Sequence, residues 1–200
     1  MAELVSLPYS QYAKWILKVS YNIGADTSLV LLGLTQGADS LPAALAAEKQ
    51  MLAGQFGIKP DEFAFVDGSG GGESAATPSA VVSFLRRMHE ESFFDTYRDC
   101  LPILATDGSL GFVTDFLSDP SLAGAKGKVH AKPGTFVVGN GDGTISLRAQ
   151  ALAGYIDAKS WRRLAYALFV NNVSPVKGLG DVVSVFQDEG RISAIIWREY

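Results

Sequence analysis

The feature that most restricts this chain is a set of three β-like segments near its C-terminus: KVHAKPGTF (128–136), TISLRAQALAGYID (144–157) and RRLAYALFVNN (162–172). The turn-forming stretches NGDG and DAKSW stand between them. Parallel strands need crossovers of a dozen or more residues, so connections this short favour antiparallel neighbours and a three-strand meander. After the meander, GLGDVVSVFQDEGRISAIIWREY carries Val182, Val185, Phe186, Ile192, Ile195 and Ile196 at helical spacing. That pattern fits a helix lying on the sheet, with Gly190 weakening its middle.

The chain upstream reads as helical. LPYSQYAKWILKVSYN puts Tyr12, Trp15, Ile16 and Val19 on one face, with Pro8 suited to a first turn. A second helical run starts near Asn22. DSLPAALAAEKQMLAGQFG is a third, capped by Asp39 or Ser40 and stopped by Gly57. DEFAFVDGSGG alternates and then breaks at glycines, as a short strand entering a loop would. TPSAVVSFLRRMHEE has Thr77 to cap it, Pro78 at its first position and Val81, Val82, Leu85 and Met88 as an apolar stripe. FFDTYRDCL reads as a short helix ending before Pro102, and SLGFVTDFL as another. With no internal repeat or linker, the simplest organisation is one α+β domain over 1–200. It is mainly helical to residue 125, then an antiparallel sheet packed with helices.

Composition removes several function classes. Apolar residues at 48% and charged residues at 19% are globular values, and the net charge of −4 comes with scattered lysines and arginines. No basic patch interleaved with aromatics suggests nucleic acid. The single cysteine, Cys100, allows neither an intramolecular disulfide nor a cysteine metal site, and reads as a small buried residue. His89 and His130 lack a recurring carboxylate spacing, so no metal or other cofactor is expected. His89 reads as a surface residue and His130 as packed or solvated. The N-terminal MAELVSLPYSQYAKW lacks a signal-peptide pattern, and no apolar run approaches a membrane span.

The chemistry concentrates in two short stretches. In KVSYNIGAD, Ser20 and Asn22 stand where one helix stops and another begins. A hydroxyl there can relay a proton, and an amide can hold a peptide carbonyl. In KVHAKPGTF, Lys132 precedes Pro133, Gly134 and Thr135. A lysine on a strand facing that junction would polarise the hydroxyl and attract a carboxylate. Taken alone, each has a plainer reading: a solvated strand lysine, and a pair of helix-capping side chains.

Ser20-Tyr21-Asn22 resembles the Ser-x-Asn motif of the penicillin-recognising serine enzymes, and Lys132-Pro133-Gly134 resembles their Lys-Thr-Gly. FVDGSGG, with Asp67 to Gly70, is similar to the Asp-Gly-Ser-Gly of one branch, the D-Ala-D-Ala carboxypeptidase/endopeptidase (S13) penicillin-binding proteins. ATDGSL, GKVHAKPGTF, ALAGYIDA and RRLAYALFVNN follow in that family's order. The similarity runs along essentially the whole chain but corresponds to only the C-terminal part of such an enzyme. It implies a partial penicillin-binding-protein/β-lactamase-like transpeptidase fold, with Ser20, Asn22 and Lys132 as catalytic residues. Gly134, Thr135, Asp67 and Ser69 would be substrate-binding, though Asp67 and Ser69 also read as turn residues. It implies D-Ala-D-Ala peptides of peptidoglycan and β-lactams as ligands of the complete enzyme, and a periplasmic or extracellular site of action.

Two departures bear on activity. The family's nucleophile is a serine three residues before a lysine, well upstream of Ser-x-Asn, and the chain is expected to lack any such pair. In SQYAK, Ser10 and Lys14 are one residue too far apart. The chain is therefore expected either to be the C-terminal piece of an enzyme or to be a degenerate relative that keeps the cleft as a binding scaffold, and to be inactive alone. Pro133 replaces the threonine hydroxyl expected after the lysine and removes a backbone N–H, which only an edge strand or a bulge tolerates. Apolar surface normally covered by the absent elements would be exposed, which favours self-association.

Overall fold

The computed structural model describes residue 3 and residues 5–200. Helices α1 (Tyr9–Val19), α2 (Asn22–Thr35) and α3 (Leu41–Gly54) come first. A two-residue strand β1 (Phe63–Ala64) pairs antiparallel with β2 (Ala75–Ala76), followed by α4 (Pro78–His89) and α5 (Phe94–Cys100). Three short 3-10 turns lead into β3 (Val129–Gly139), β4 (Ile145–Asp157) and β5 (Arg163–Val176), and α6 (Leu179–Glu199) closes the chain.

The expected meander forms, in the order β3-β4-β5 and antiparallel throughout. Over residues 150–157 of β4 and 163–170 of β5 its even positions face α6. Leu152, Ile156 and Tyr166 join Val129, Ala131, Leu104, Val113, Phe116 and Ala194 in the largest core cluster. The odd positions face α4 and α5, where Tyr155 packs with Leu85, Phe94 and Leu101 and donates its hydroxyl to the Leu85 carbonyl at 2.7 Å. Both faces of the sheet are covered, and for that reason β4 reads as nearly continuous apolar sequence. Across the sheet end, Asp157 holds Arg163 at 2.7 Å and also pairs with Arg98 of α5.

Thr77 caps α4 as its sequence requires, accepting from the Ala80 N–H at 3.1 Å. Elsewhere the local signals are modified. SLGFVTDFL forms two 3-10 turns, Gly108–Leu110 and Asp115–Ser118, rather than one helix. Its apolar residues Leu110, Val113 and Phe116 are each buried in the core. The strand before the glycine loop shrinks to two residues. On α6, Ile192 and Ile195 turn outward, while Glu189, Gly190, Ser193 and Ala194 are buried.

The face of α1 marked by Tyr12, Trp15 and Val19 is exposed, and Lys18 is buried instead. Tyr9 on α1 and Ile23, Leu31 and Leu34 on α2 are exposed as well. Among the described residues, no helix is long and apolar enough to cross a membrane.

Gly190 is explained by packing. A Cβ there would sit 2.3 Å from Cγ1 of Val113, a stiff β-branched side chain with no exposure. Gly190→Ala gains up to about 1 kcal/mol of helix propensity but overpacks the core by about 1–3 kcal/mol. The expected result is a net loss of stability of up to about 2 kcal/mol in urea denaturation; a more stable variant would show that α6 can shift away from Val113.

Candidate active site

The segment after α5 brings the site together. Leu101 and Asp107 grip α1, while Pro102 and Leu104 grip β3. Lys18, in the last turn of α1, donates from Nζ to the Leu101 carbonyl at 2.6 Å and to both Asp107 carboxylate oxygens at 2.7 Å. On the other side, the Ala131 N–H donates to the Pro102 carbonyl and the Leu104 N–H to the Val129 carbonyl, each at 3.0 Å. Gly108 allows the close approach: its φ is +57°, and a Cβ would lie 2.6 Å from the Lys18 carbonyl oxygen. The C-terminus of α1 and the edge of β3 are thereby fixed relative to one another.

Ser20 is the residue that ends α1. It adopts a left-handed conformation (φ 57°, ψ 54°), and its N–H closes the last turn on the Ile16 carbonyl. Such a backbone costs a non-glycine residue about 1–2 kcal/mol. Its Oγ accepts from Lys132 Nζ at 2.7 Å, across 112 residues of sequence. Lys132 also donates to the Pro133 carbonyl at 2.6 Å. Asn22 opens α2, whose N-terminus has no side-chain cap. Neither side chain is used for capping, which leaves both free for the groove.

Lys132, Pro133, Ser20, Asn22, Asp67 and Ser69 all line one groove of about 310 Å³. Burial lowers the Lys132 pKa to about 8. Near that pH the amine passes from a cation that donates to Ser20 into a base able to take its proton.

The alternation along β3 decides what each neighbour of Lys132 does. Val129 and Ala131 direct their backbone groups to the outer edge, so Pro133 and Thr135 do the same. The missing N–H of Pro133 falls on the unpaired side of an edge strand and breaks no ladder bond, as the sequence required. The Thr135 N–H faces that open edge, but its hydroxyl does not serve the groove. It lies on the α6 face and donates to Gln150 Oε1 at 2.7 Å. Gly134 is exposed on the Lys132 face, with only Ala151 Cβ at 4.0 Å from a Cβ placed there, so packing does not demand glycine.

The carboxylate of Asp67 is also engaged locally. Its Oδ1 accepts from the N–H groups of Ser69 (3.0 Å), Gly70 (2.7 Å) and Gly71 (2.9 Å). Burial raises its pKa, but these hydrogen bonds outweigh that effect and hold it below the ordinary value. Asp67 therefore builds the loop, and Ser69 presents that loop to the groove. Asp26, overlooked in the sequence, fixes the loop to α2 by accepting from the Gly68 N–H at 3.0 Å.

His130 shares the Lys132 face but is packed away. Burial and the Arg98 guanidinium lower its pKa, so it is neutral at pH 7. Cys100 is buried, with its thiol on the Thr96 carbonyl and its pKa pushed up by burial. Glu48 was not anticipated. It lines the same groove, and burial raises its pKa.

Contrary to the expected lack, one Ser-x-x-Lys does occur, Ser174 to Lys177. It lies at the end of a strand, where residues three apart point to opposite faces. Ser174 Oγ is 2.8 Å from Ser146 Oγ. The ladder sets Ala167 level with Lys132, so Ser174, further along β5, is roughly 20 Å away at strand rise. It cannot serve this groove.

The lowered pKa gives a pH dependence with a definite sign. The folded chain releases the Lys132 proton near 8, whereas an ordinary lysine holds it to about 10.5. Between those values the unfolded chain binds more protons, so stability rises with pH. The expected observation is a Lys132 resonance titrating near 8, and a rise in stability over that window that disappears in Lys132→Met. An ordinary lysine titration would mean the ammonium is solvated.

Comparison with known proteins agrees with the fold and with the ordered motifs. The family model for the D-Ala-D-Ala carboxypeptidase 3 (S13) family matches residues 1–181. Penicillin-binding protein 4 from Haemophilus influenzae superposes with a TM-score of 0.67 at 21% identity, over 90% of this chain and 38% of that one. A predatory endopeptidase from Bdellovibrio bacteriovorus, solved in complex with an immunity protein, gives 0.67 at 20% identity, over 94% and 43%. The TLA-3 extended-spectrum β-lactamase gives 0.57 at 18% identity, over 94% and 63%. These likenesses show the fold, and the chain spans about two-fifths of the length of the first two structures. No match was found among curated proteins. With its fold, its ordered motifs and the family match over residues 1–181 in agreement, this chain belongs to the D-Ala-D-Ala carboxypeptidase (S13) family.

Proposed function

We propose that this chain supplies the Ser-x-Asn and Lys-Thr-Gly-like walls of the cleft of a serine-type D-Ala-D-Ala carboxypeptidase/endopeptidase acting on peptidoglycan stem peptides outside the cytoplasmic membrane. The observation that carries this reading is the 2.7 Å contact between Lys132 Nζ and Ser20 Oγ in the groove that Asn22 also lines. In that reaction a serine outside the described groove attacks the carbonyl between two D-alanines and forms an acyl-enzyme. Ser20 passes a proton to the leaving amine, Asn22 holds a substrate amide, and Lys132 steers the terminal carboxylate while keeping Ser20 polarised. The open-edge N–H of Thr135 offers one oxyanion donor. Periplasmic or extracellular action is part of this proposal.

A second reading, a non-catalytic peptidoglycan-binding relative, is favoured by Pro133 and by the lack of any Ser-x-x-Lys near Lys132. Under both readings the chain as given forms no covalent intermediate. Intact mass spectrometry after incubation with penicillin is therefore expected to show no adduct, and a stoichiometric adduct on any serine would overturn this. Calorimetry with an acyl-D-Ala-D-Ala peptide then tests the cleft. Binding weakened about tenfold or more by Lys132→Ala, the loss of roughly one charge-assisted hydrogen bond, is the expected result. Absence of binding by the wild-type chain would remove the peptidase reading of the site.

We also infer that the apolar surface of Tyr9, Tyr12, Trp15 and Val19 drives self-association of the isolated chain. Light scattering is expected to show mass rising with concentration; a monomer at all concentrations would refute it.

A further inference from the structure

The buried polar side chains under the sheet form a line that the proposed reaction does not use. Thr135 Oγ1 donates to Gln150 Oε1 at 2.7 Å, and Gln150 Nε2 donates to Glu189 Oε2 at 3.1 Å. Gln150 has 0% of its surface exposed and Glu189 1%. The second carboxylate oxygen of Glu189, Oε1, has no partner among the described residues. At the other end, Thr135 is exposed on the open edge of β3, two residues beyond Pro133. The line therefore runs from a sealed carboxyl group to the exposed edge of β3.

We propose that Glu189 is a positioning residue whose protonation reverses the hydrogen-bond polarity of the Thr135 hydroxyl. An ionised carboxylate only accepts hydrogen bonds, so it draws the amino group of the Gln150 amide towards itself. The amide oxygen is then left facing Thr135, which must spend its only proton inward. In that state the outward side of the hydroxyl carries lone pairs alone.

One proton from solvent, added to Glu189, changes each step in turn. The carboxyl can now donate to the Gln150 amide oxygen. A half-turn of that amide about its last bond places the amide oxygen on Glu189 and Nε2 on Thr135 Oγ1. Both hydrogen bonds are kept and both are reversed. The Thr135 proton becomes free to point outward. No covalent bond other than the new O–H is made, and none is broken.

The surroundings allow both states near neutrality. Burial pushes the Glu189 pKa up to about 7, opposed by the Gln150 hydrogen bond. From β5, the titratable neighbour is Tyr166. Burial raises its pKa far enough that it stays neutral throughout, and it pairs with Ser193 Oγ at 3.0 Å. From the segment packed on α6, Leu104 and Val113 meet the adjacent Gly190, and both are apolar. On α6 itself, Ser193 donates to the Glu189 backbone carbonyl at 2.8 Å and leaves the carboxyl free.

The consequence for ligands rests on the proposed peptidase reading. A donor hydroxyl suits a carboxylate, and at low pH it would be offered at the open edge of β3, two residues beyond Pro133. The switch itself is independent of that reading and is tested without a ligand. In the isotopically labelled full chain, nuclear magnetic resonance would follow the Glu189 carboxyl carbon, the Gln150 side-chain NH2 and the Thr135 amide across neutral pH. The expected result is one shared step near 7. Glu189→Gln should abolish the step at Gln150 and Thr135 while leaving the titrations of His130 and Lys132 in place. Different midpoints for Glu189 and Gln150 in the wild-type chain would overturn the proposal, a comparison that needs no variant to fold. A Thr135 step near 7 that survives Glu189→Gln would also overturn it. Loss of peptide binding with the shared step intact would count against the peptidase reading alone.

Discussion

The site depends on a bridge rather than on any one catalytic side chain. The segment Leu101–Asp107 is bonded to α1 through Lys18 and to the free side of β3 through Pro102 and Leu104. It thereby fixes a helix end against a strand edge. Lys18 is costly to bury, and three short hydrogen bonds compensate that cost. A second anchor is apolar: Leu17 of α1 packs in the cluster of Leu85 and Tyr155 that also includes Ala153, the register partner of Lys132. Between them the two hold Ser20 and Lys132 at 2.7 Å.

Because β3 is bonded to β4 on one side only, the same strand can carry a proline and serve as a wall of the cleft. The side chains on its two faces have separate work. Those of His130 and Lys132 look toward the groove face, one packed and one poised. Those of Ala131 and Thr135 look toward α6, where the Glu189–Gln150 line begins. The backbone groups of Pro133 and Thr135 point along the open edge between the two. A departure such as Pro133 changes the edge without disturbing either face.

The local grammar of the sequence was legible where it concerned single elements. Thr77-Pro78 opens α4, Pro102 follows the end of α5, and NGDG and DAKSW turn the meander as their residues demand. Ser20, Asn22, Lys132 and Ser69 were found from spacing and resemblance, and the structure brings them to one groove. Reading failed where a residue's role depends on what lies against its face. Tyr12, Trp15 and Val19 have core character but stand exposed, and Lys18 has surface character but is buried. Ile192 and Ile195 likewise gave way to Gly190 and Ala194, because close approach to Val113 matters more there than apolarity.

By itself, the sequence determined the order of the long helices and of the meander strands, the antiparallel pairing of the last three strands, the family, and which residue types could meet in a cleft. It could do so because turn length, period and capping are local properties, each set within a few residues. Only the tertiary structure decided that residues 20 and 132 touch, that the Asp67 carboxylate closes its own loop, and that the Thr135 hydroxyl turns inward to Gln150. These outcomes depend on packing partners far away in the chain, and on which side of a strand is left without a neighbour.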